Sequence, residues 1–255
     1  MIKPPDQQIE HAGFSIEYTQ DGSPTLRLPE NGESMHHSGG AAAETLYIYA
    51  NPLQQAHQIL TAECKTCIVG LGLGYIEVAW ALSLLKNGLK PSSEITFHTF
   101  EIVEELRTRF LKWLHSDAES LYDLIVKKMT TQFSSHVIKS TLKQGLLSGS
   151  SIEKDFSESY LLKTKWNVIC YDAFSQKTNQ KLWQGEFLDL FLKDQTAEDC
   201  ILTTYACTGV LRKTLIENNF TFIKRVGFGG KRDSSLALRG KFKVEFVPME
   251  YDQTF

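Results

Sequence analysis

Apolar and polar positions alternate in two different rhythms along this chain. Phe14, Ile16 and Tyr18 occupy every second position, Asp21-Gly22 interrupts them, and Thr25-Leu26-Arg27-Leu28 resumes an extended pattern. Period-two alternation puts the apolar side chains of a strand on one face, and Asp-Gly suits a tight turn, so an N-terminal hairpin is predicted. A polar stretch with Gly32, Gly39 and Gly40 follows. Helix-forming residues then run from about 41 to 50, and a second helix is predicted after Pro52 to about Leu60.

From Lys65 onward short apolar runs alternate with amphipathic stretches. Strands are predicted over 66–69, 95–100, 166–171 and 200–205, and helices over 76–85, 103–115, 117–129, 187–192 and 210–218. Strands separated by helices pair in parallel through right-handed crossovers, because a hairpin cannot join parallel neighbours. The last segment departs from this rule. Residues 220–226 and 234–238 both read as strands, with Gly227, Gly229 and Gly230 between them and no room for a helix, so this pair is antiparallel. Residues 131–165 carry no readable periodicity.

With 255 residues, 42% hydrophobic and 22% charged, the chain can bury a large core and is neither disordered nor a small disulfide-stapled module. Its formal charge of −3 provides no global attraction to nucleic acid, so any such binding needs a local patch. Lys224, Arg225, Lys231, Arg232, Arg239, Lys241 and Lys243 supply one in the last third, either as solvated hairpin charge or as a seat for the phosphates of a stem-loop. An odd set of five cysteines, no secretory signal and no run of 18 apolar residues lead to the expectation of a soluble, cytoplasmic protein without a membrane segment. Cys64 and Cys67 have CxxC spacing, but no second pair completes a zinc site and the motif precedes its strand instead of following it. His36-His37 reads as a solvated or pocket-lining pair, and no metal site is expected.

Ile68-Val69-Gly70-Leu71-Gly72-Leu73-Gly74 sets three glycines at alternate positions between a strand and a helix. Glycine there allows positive φ and close approach of a ligand, and the helix N-terminus adds unpaired N–H donors; the alternative is a tight turn without a ligand. Glu101, at the end of the next strand, is placed to accept from both hydroxyls of a ribose, or else merely starts a helix. Together they indicate an adenosine-containing ligand, S-adenosylmethionine or NAD. The antiparallel ending separates the two: it is the arrangement of class I S-adenosylmethionine-dependent methyltransferases, an α/β Rossmann-like fold, whereas a dinucleotide-binding half continues with another crossover. Asp172, in Tyr171-Asp172-Ala173-Phe174-Ser175, ends the next strand, where a carboxylate either orients an attacking amine or caps a turn. Tyr205 either lines the substrate pocket or buries its ring with a wet hydroxyl.

Several segments together resemble the methyltransferase half of the bifunctional bacterial tRNA wobble-uridine enzyme MnmC and its stand-alone relatives, MnmD. They are DGSPTLRLPE (21–30), MHHSGGAAAET (35–45), IVGLGLG (68–74), DAFSQKTNQKLW (172–183), TTYACTGVLRKTL (203–215) and VGFGGKRD (226–233). The resemblance implies methyl transfer from S-adenosylmethionine to the primary amine of 5-aminomethyl-2-thiouridine in the tRNA anticodon stem-loop. It implies that Gly70, Gly72 and Gly74 approach the cofactor, that Glu101 holds its ribose and that Glu44 joins the cofactor pocket. Asp172 would face the amine, Phe174 would wall the base pocket, and Lys231 and Arg232 would seat the tRNA. Residues 1–62 would be a hairpin and helical extension and 63–255 the methyltransferase domain, with no length left for a flavin domain. The pattern also has an acid in a Gly-Asp pair after the third strand, whereas Leu147-Ser148-Gly149-Ser150 offers none. Two other functions compete: methyl or aminopropyl transfer to a small amine, and non-catalytic tRNA binding.

Overall fold

The computed structural model describes residues 14–28, 32–156, 163–174, 178–230 and 233–248. Buried apolar runs make the central sheet. It comprises β3 (Cys64–Val69), β4 (Ile95–Phe100), β5 (Ser151–Glu153), β6 (Trp166–Tyr171), β7 (Thr196–Thr204), β8 (Thr221–Val226) and β9 (Asp233–Arg239), in the order β5-β4-β3-β6-β7-β9-β8. Strands β5, β4, β3, β6 and β7 are parallel; β9 runs antiparallel between β7 and β8. The expected class I α/β architecture with an antiparallel ending is therefore present. Every residue of β6 is buried because the sheet is covered on both sides: Val168 and Cys170 pack into one core, Ile169 and Tyr171 into the other. Cys64 and Cys67 likewise fall in opposite cores, so their thiols cannot share a ligand or a bond.

The helices are α3 (Tyr75–Lys86), α4 (Glu104–His115), α5 (Leu121–Met129), α6 (Ser135–Leu147), α7 (Gly185–Gln195), α8 (Gly209–Glu217) and a short α9 (Phe242–Glu245). Helix α5 starts later than the expected 117, because Ser120 and Asp123 close a capping box there. The unreadable stretch 131–165 contains α6 and β5. Helix α6 buries Ile138, Thr141, Leu142 and Gly145, a helical stripe in which only two members are large and apolar.

The hairpin expected at the N-terminus is β1 (Ser15–Tyr18) paired with β2 (Pro24–Arg27). Its turn holds the next helix: Asp21 Oδ2 accepts from the Ala43 amide at 3.3 Å and Thr19 Oγ1 from the Ala41 amide at 3.2 Å. The expected break at Pro52 does not occur. Helix α1 (Ala41–Thr45), a π-helical turn (Leu46–Ala50) and α2 (Asn51–Ile59) form one continuous path. Pro52 has no N–H for the Ile48 carbonyl four residues back. That carbonyl instead accepts from Thr203 Oγ1 at 2.5 Å and Arg225 Nη1 at 3.4 Å. Leu26, Ala41, Ile48 and Leu53 from this segment share one buried cluster with Ile68, Trp80 and Val168.

Candidate active site

Strand order reverses at β3, with β4 on one side and β6 on the other, and this opens a crevice above the carboxyl ends of all three. The Gly70 amide donates to the Phe100 carbonyl and the Asp172 amide to the Val69 carbonyl, both at 2.9 Å, so the strand ends continue their pairing into the loops. Gly70 has φ +95°, and a Cβ there would lie 2.7 Å from the Asp172 carbonyl oxygen; only glycine lets the two backbones meet this closely. Gly72 also has positive φ and lines the cavity with Gly70. Gly74 does not line it. It is the N-cap of α3, with its α-carbon packed against the Phe110 ring.

Glu101 lies below the glycine loop, buried. Its Oε2 accepts from the Leu71 and Gly72 amides at 3.2 Å each, and its Oε1 from the Val103 amide at 2.9 Å. Burial raises its pKa above the ordinary value, opposed by these amides and by Arg107. A carboxylate has about four acceptor positions, so bracing the loop still leaves acceptor capacity toward the cavity.

The cavity measures about 390 Å3 and gathers Gly70, Gly72, Glu44, Glu101, Asp172, Phe174 and Tyr205. Sequence positions 44 to 205 thus converge on one space. Asp172 Oδ1 accepts from the Tyr49 hydroxyl at 2.5 Å, a length typical of a hydroxyl donating to a carboxylate. The Tyr205 hydroxyl donates to the Ala173 carbonyl at 2.9 Å and its ring meets Trp183 edge-on, so the Tyr is anchored at both ends. Glu44 accepts from the His37 amide at 2.7 Å and thereby ties the 33–40 loop over the site. Of the histidine pair, His36 lines the cavity, held edge-on to Tyr75, whereas His37 packs against Phe228.

Tyr49, Met35 and Asp155 are among the wall residues that escaped the sequence reading. Tyr49 sits in the π-helical turn, which no local motif announces. Met35 lines the cavity from the loop that also carries Glu33, Ser34 and His36. Asp155 lines the cavity two residues beyond β5, whereas no acid stands at 147–150. The signal was an acid following a three-residue strand too short to recognise.

Lys231 and Arg232 lie outside the described residues. Much of the surrounding basic cluster has internal work. Arg225 is half-buried, with its pKa pushed down to about 10 by desolvation of the guanidinium, and donates to Thr203 Oγ1 at 2.9 Å and the Ser235 carbonyl at 3.2 Å. Arg239 covers the Phe220 ring and donates to Thr196, while Lys224 and Lys241 pair with Asp233 and Asp199.

A parallel sheet with an antiparallel ending, a glycine loop at its switch point and acids at the ends of β4 and β6 define a class I S-adenosylmethionine-dependent methyltransferase. Residues 115–239 match the family described as S-adenosyl-L-methionine-dependent methyltransferase. Its structure is similar to that of MnmC2 from Aquifex aeolicus, with a TM-score of 0.62 and 22% identity, covering 98% of this chain and 75% of the other. An uncharacterized protein of Methanocaldococcus jannaschii is 27% identical over 227 residues, 87% of this chain and 58% of the relative. The tRNA 5-methylaminomethyl-2-thiouridine biosynthesis bifunctional protein MnmC of Hahella chejuensis is 34% identical over 74 residues, 29% of this chain and 11% of its own length. The chain thus aligns with 58% or less of these curated relatives. The cofactor is S-adenosylmethionine, and the positive-φ glycine cradle, the amides at the start of α3 and the carboxylates lining the cavity suit its ribose and cationic parts. No helix among the described residues is long and apolar enough to cross a membrane.

Proposed function

We propose that this protein is a cytoplasmic tRNA-modifying N-methyltransferase that methylates the amine of 5-aminomethyl-2-thiouridine at the anticodon wobble position. The observation that carries this reading is Asp172, a carboxylate beside the glycine loop in a cavity that Phe174 and Tyr205 also line. The partial match to a protein of 5-methylaminomethyl-2-thiouridine biosynthesis supports the choice of acceptor.

S-adenosylmethionine supplies a methyl group activated by a sulfonium. Gly70 and Gly72 would give it close backbone approach, Glu101 and Glu44 would face its polar groups, and Asp155 is assigned to the adenine edge. Phe174 and Tyr205 would hold an extruded uracil between apolar faces. An aminomethyl group is largely protonated at neutral pH, and an ammonium has no lone pair for displacement. Asp172 accepts a hydrogen bond from the amine, favours loss of its proton and points the lone pair at the methyl carbon. Transfer of the methyl group to the neutral amine would leave one surplus proton, which Asp172 would pass to solvent. Lys231 and Arg232 are assigned to the RNA phosphates.

Incubation with radiolabelled S-adenosylmethionine and tRNA bearing the free amine, followed by nucleoside analysis, tests the reading. Label in the methylaminomethyl nucleoside is expected. Label found only in small amines would replace the acceptor, and label in neither would remove the catalytic reading.

A further inference from the structure

We propose that Tyr49 is a positioning residue for the transfer step: its hydroxyl fixes the Asp172 carboxylate in the orientation that receives the amine. The proposal rests on the reading of Asp172 as the group facing the amine. Tyr49 is 3% exposed and donates to Asp172 Oδ1, so one end of the carboxylate is pinned by a buried hydroxyl. A carboxylate free to rotate about its side-chain torsions would present a spread of directions, and misplacement by about 1 Å can cost on the order of a hundredfold in rate.

The placement of Tyr49 is itself held from outside the helix. It lies in the π-helical turn Leu46–Ala50, and such turns persist where neighbouring structure holds them. The anchors here come from the far side of the sheet. Thr203 at the end of β7 and Arg225 on β8 both donate to the Ile48 carbonyl, and Arg225 also donates to Thr203 Oγ1 and to the Ser235 carbonyl on β9. Two residues earlier, the Tyr47 hydroxyl donates to the Val226 carbonyl at 2.9 Å, and the Arg225 guanidinium lies 5.6 Å over the Tyr47 ring centre. The antiparallel ending of the sheet therefore sets the azimuth of the turn that carries Tyr49. Burial and the neighbouring Asp172 charge push the Tyr49 hydroxyl well above the ordinary phenol range, so it stays a donor at working pH. Around the pair stand Glu44 on α1, Glu77 on α3, Glu101 after β4 and Tyr205 after β7.

The test is Tyr49→Phe in the full chain, which removes one oxygen and keeps the ring. A carbon-13 NMR titration follows the Asp172 carboxyl, assigned by its disappearance in Asp172→Asn. Loss of a donor to the carboxylate should raise its midpoint by about one pH unit. An unchanged midpoint overturns the proposal, whether or not the RNA is a substrate. Single-turnover transfer to tRNA bearing the free amine should slow at least about tenfold, with Kd for S-adenosylmethionine and for tRNA within twofold of the parent. A Kd for S-adenosylmethionine weakened as much as the rate would show a general structural role and reject positioning. If the parent enzyme methylates no such tRNA, the acceptor reading falls while the carboxyl midpoint still decides the role of Tyr49.

Discussion

Glu77 offers a prediction whose size follows from burial. It sits in the first turn of α3, fully buried; Thr99 Oγ1 donates to its Oε1 at 2.6 Å, and Oε2 has no hydrogen-bond partner among the described residues. Burial pushes its pKa from 4.5 up to about 8; the charges of Asp172 and Glu101 add to the rise, and the Thr99 hydroxyl opposes it. The carboxyl is therefore neutral in the folded protein at pH 7 and ionised in the unfolded chain. The folded value is the higher one, so the contribution to stability is fully present below about pH 4.5 and is lost as pH rises to about 8. Each pH unit in that window costs about 1.4 kcal/mol, which amounts to about 3 kcal/mol at pH 7 and about 5 kcal/mol above pH 8. Glu77→Gln keeps an acceptor for Thr99 and leaves one polar group unpaired, as the neutral acid does, but has no proton to bind. Its advantage over the parent should be near zero at pH 4.5 and reach about 3 kcal/mol at pH 7, or roughly 6–12 °C in Tm for a chain of this size. Thermal unfolding followed by circular dichroism from pH 5 to pH 9 measures the difference, in which other titrations cancel. Parallel Tm curves, separated by the same interval at every pH, would refute the reasoning.

Three further outcomes are expected. Asp172→Asn should lower methyl transfer on the order of a hundredfold while leaving Kd for S-adenosylmethionine within twofold by calorimetry; matching losses in both would contradict its assignment to the amine. Asp155→Ala should weaken S-adenosylmethionine about tenfold, the worth of one hydrogen bond to a charged group, and an unaltered binding isotherm would exclude contact with the adenine. Replacing Lys231 and Arg232 together by alanine should flatten the dependence of log K for tRNA on log salt concentration by about 1.5; an unchanged slope takes these two residues out of the RNA interface.

The parts of the fold legible in the sequence are those with one dominant local signal. Strands β3, β4 and β6 are apolar runs buried on two sides, and the loop from Gly70 to Gly74 carries backbone geometry that other residues cannot adopt. Asp172 and Glu101 could be read because they directly follow such runs. Pro52 misled for the opposite reason: its local preference argues for a break, yet tertiary partners from Thr203 and Arg225 take up the Ile48 carbonyl and the helix continues. Helix α6 hid because half of its inward stripe is Thr141 and Gly145, and β5 because three residues cannot establish a period. With β5 missed, Asp155 was invisible as a strand-end acid. The basic cluster near the end of the chain looked uniform, but burial decides what each charge does. Arg225 and Arg239 are consumed within the fold, a distinction that requires knowing which side chains they meet. Tyr49 is legible only in three dimensions, because its partner Asp172 lies 123 positions further along.

The direct seating of Gly70 on the Asp172 backbone has a consequence for how the site tolerates substitution. The glycine loop and the strand-end acid are joined without an intervening side chain, so neither can shift without dragging the other, and the two behave as one rigid unit. The loop carrying Met35 and His36 and the aromatic positions 174 and 205 lie outside that junction. Substitutions at the rim can therefore reshape the opening of the cavity while the junction of loop and strand end stays fixed.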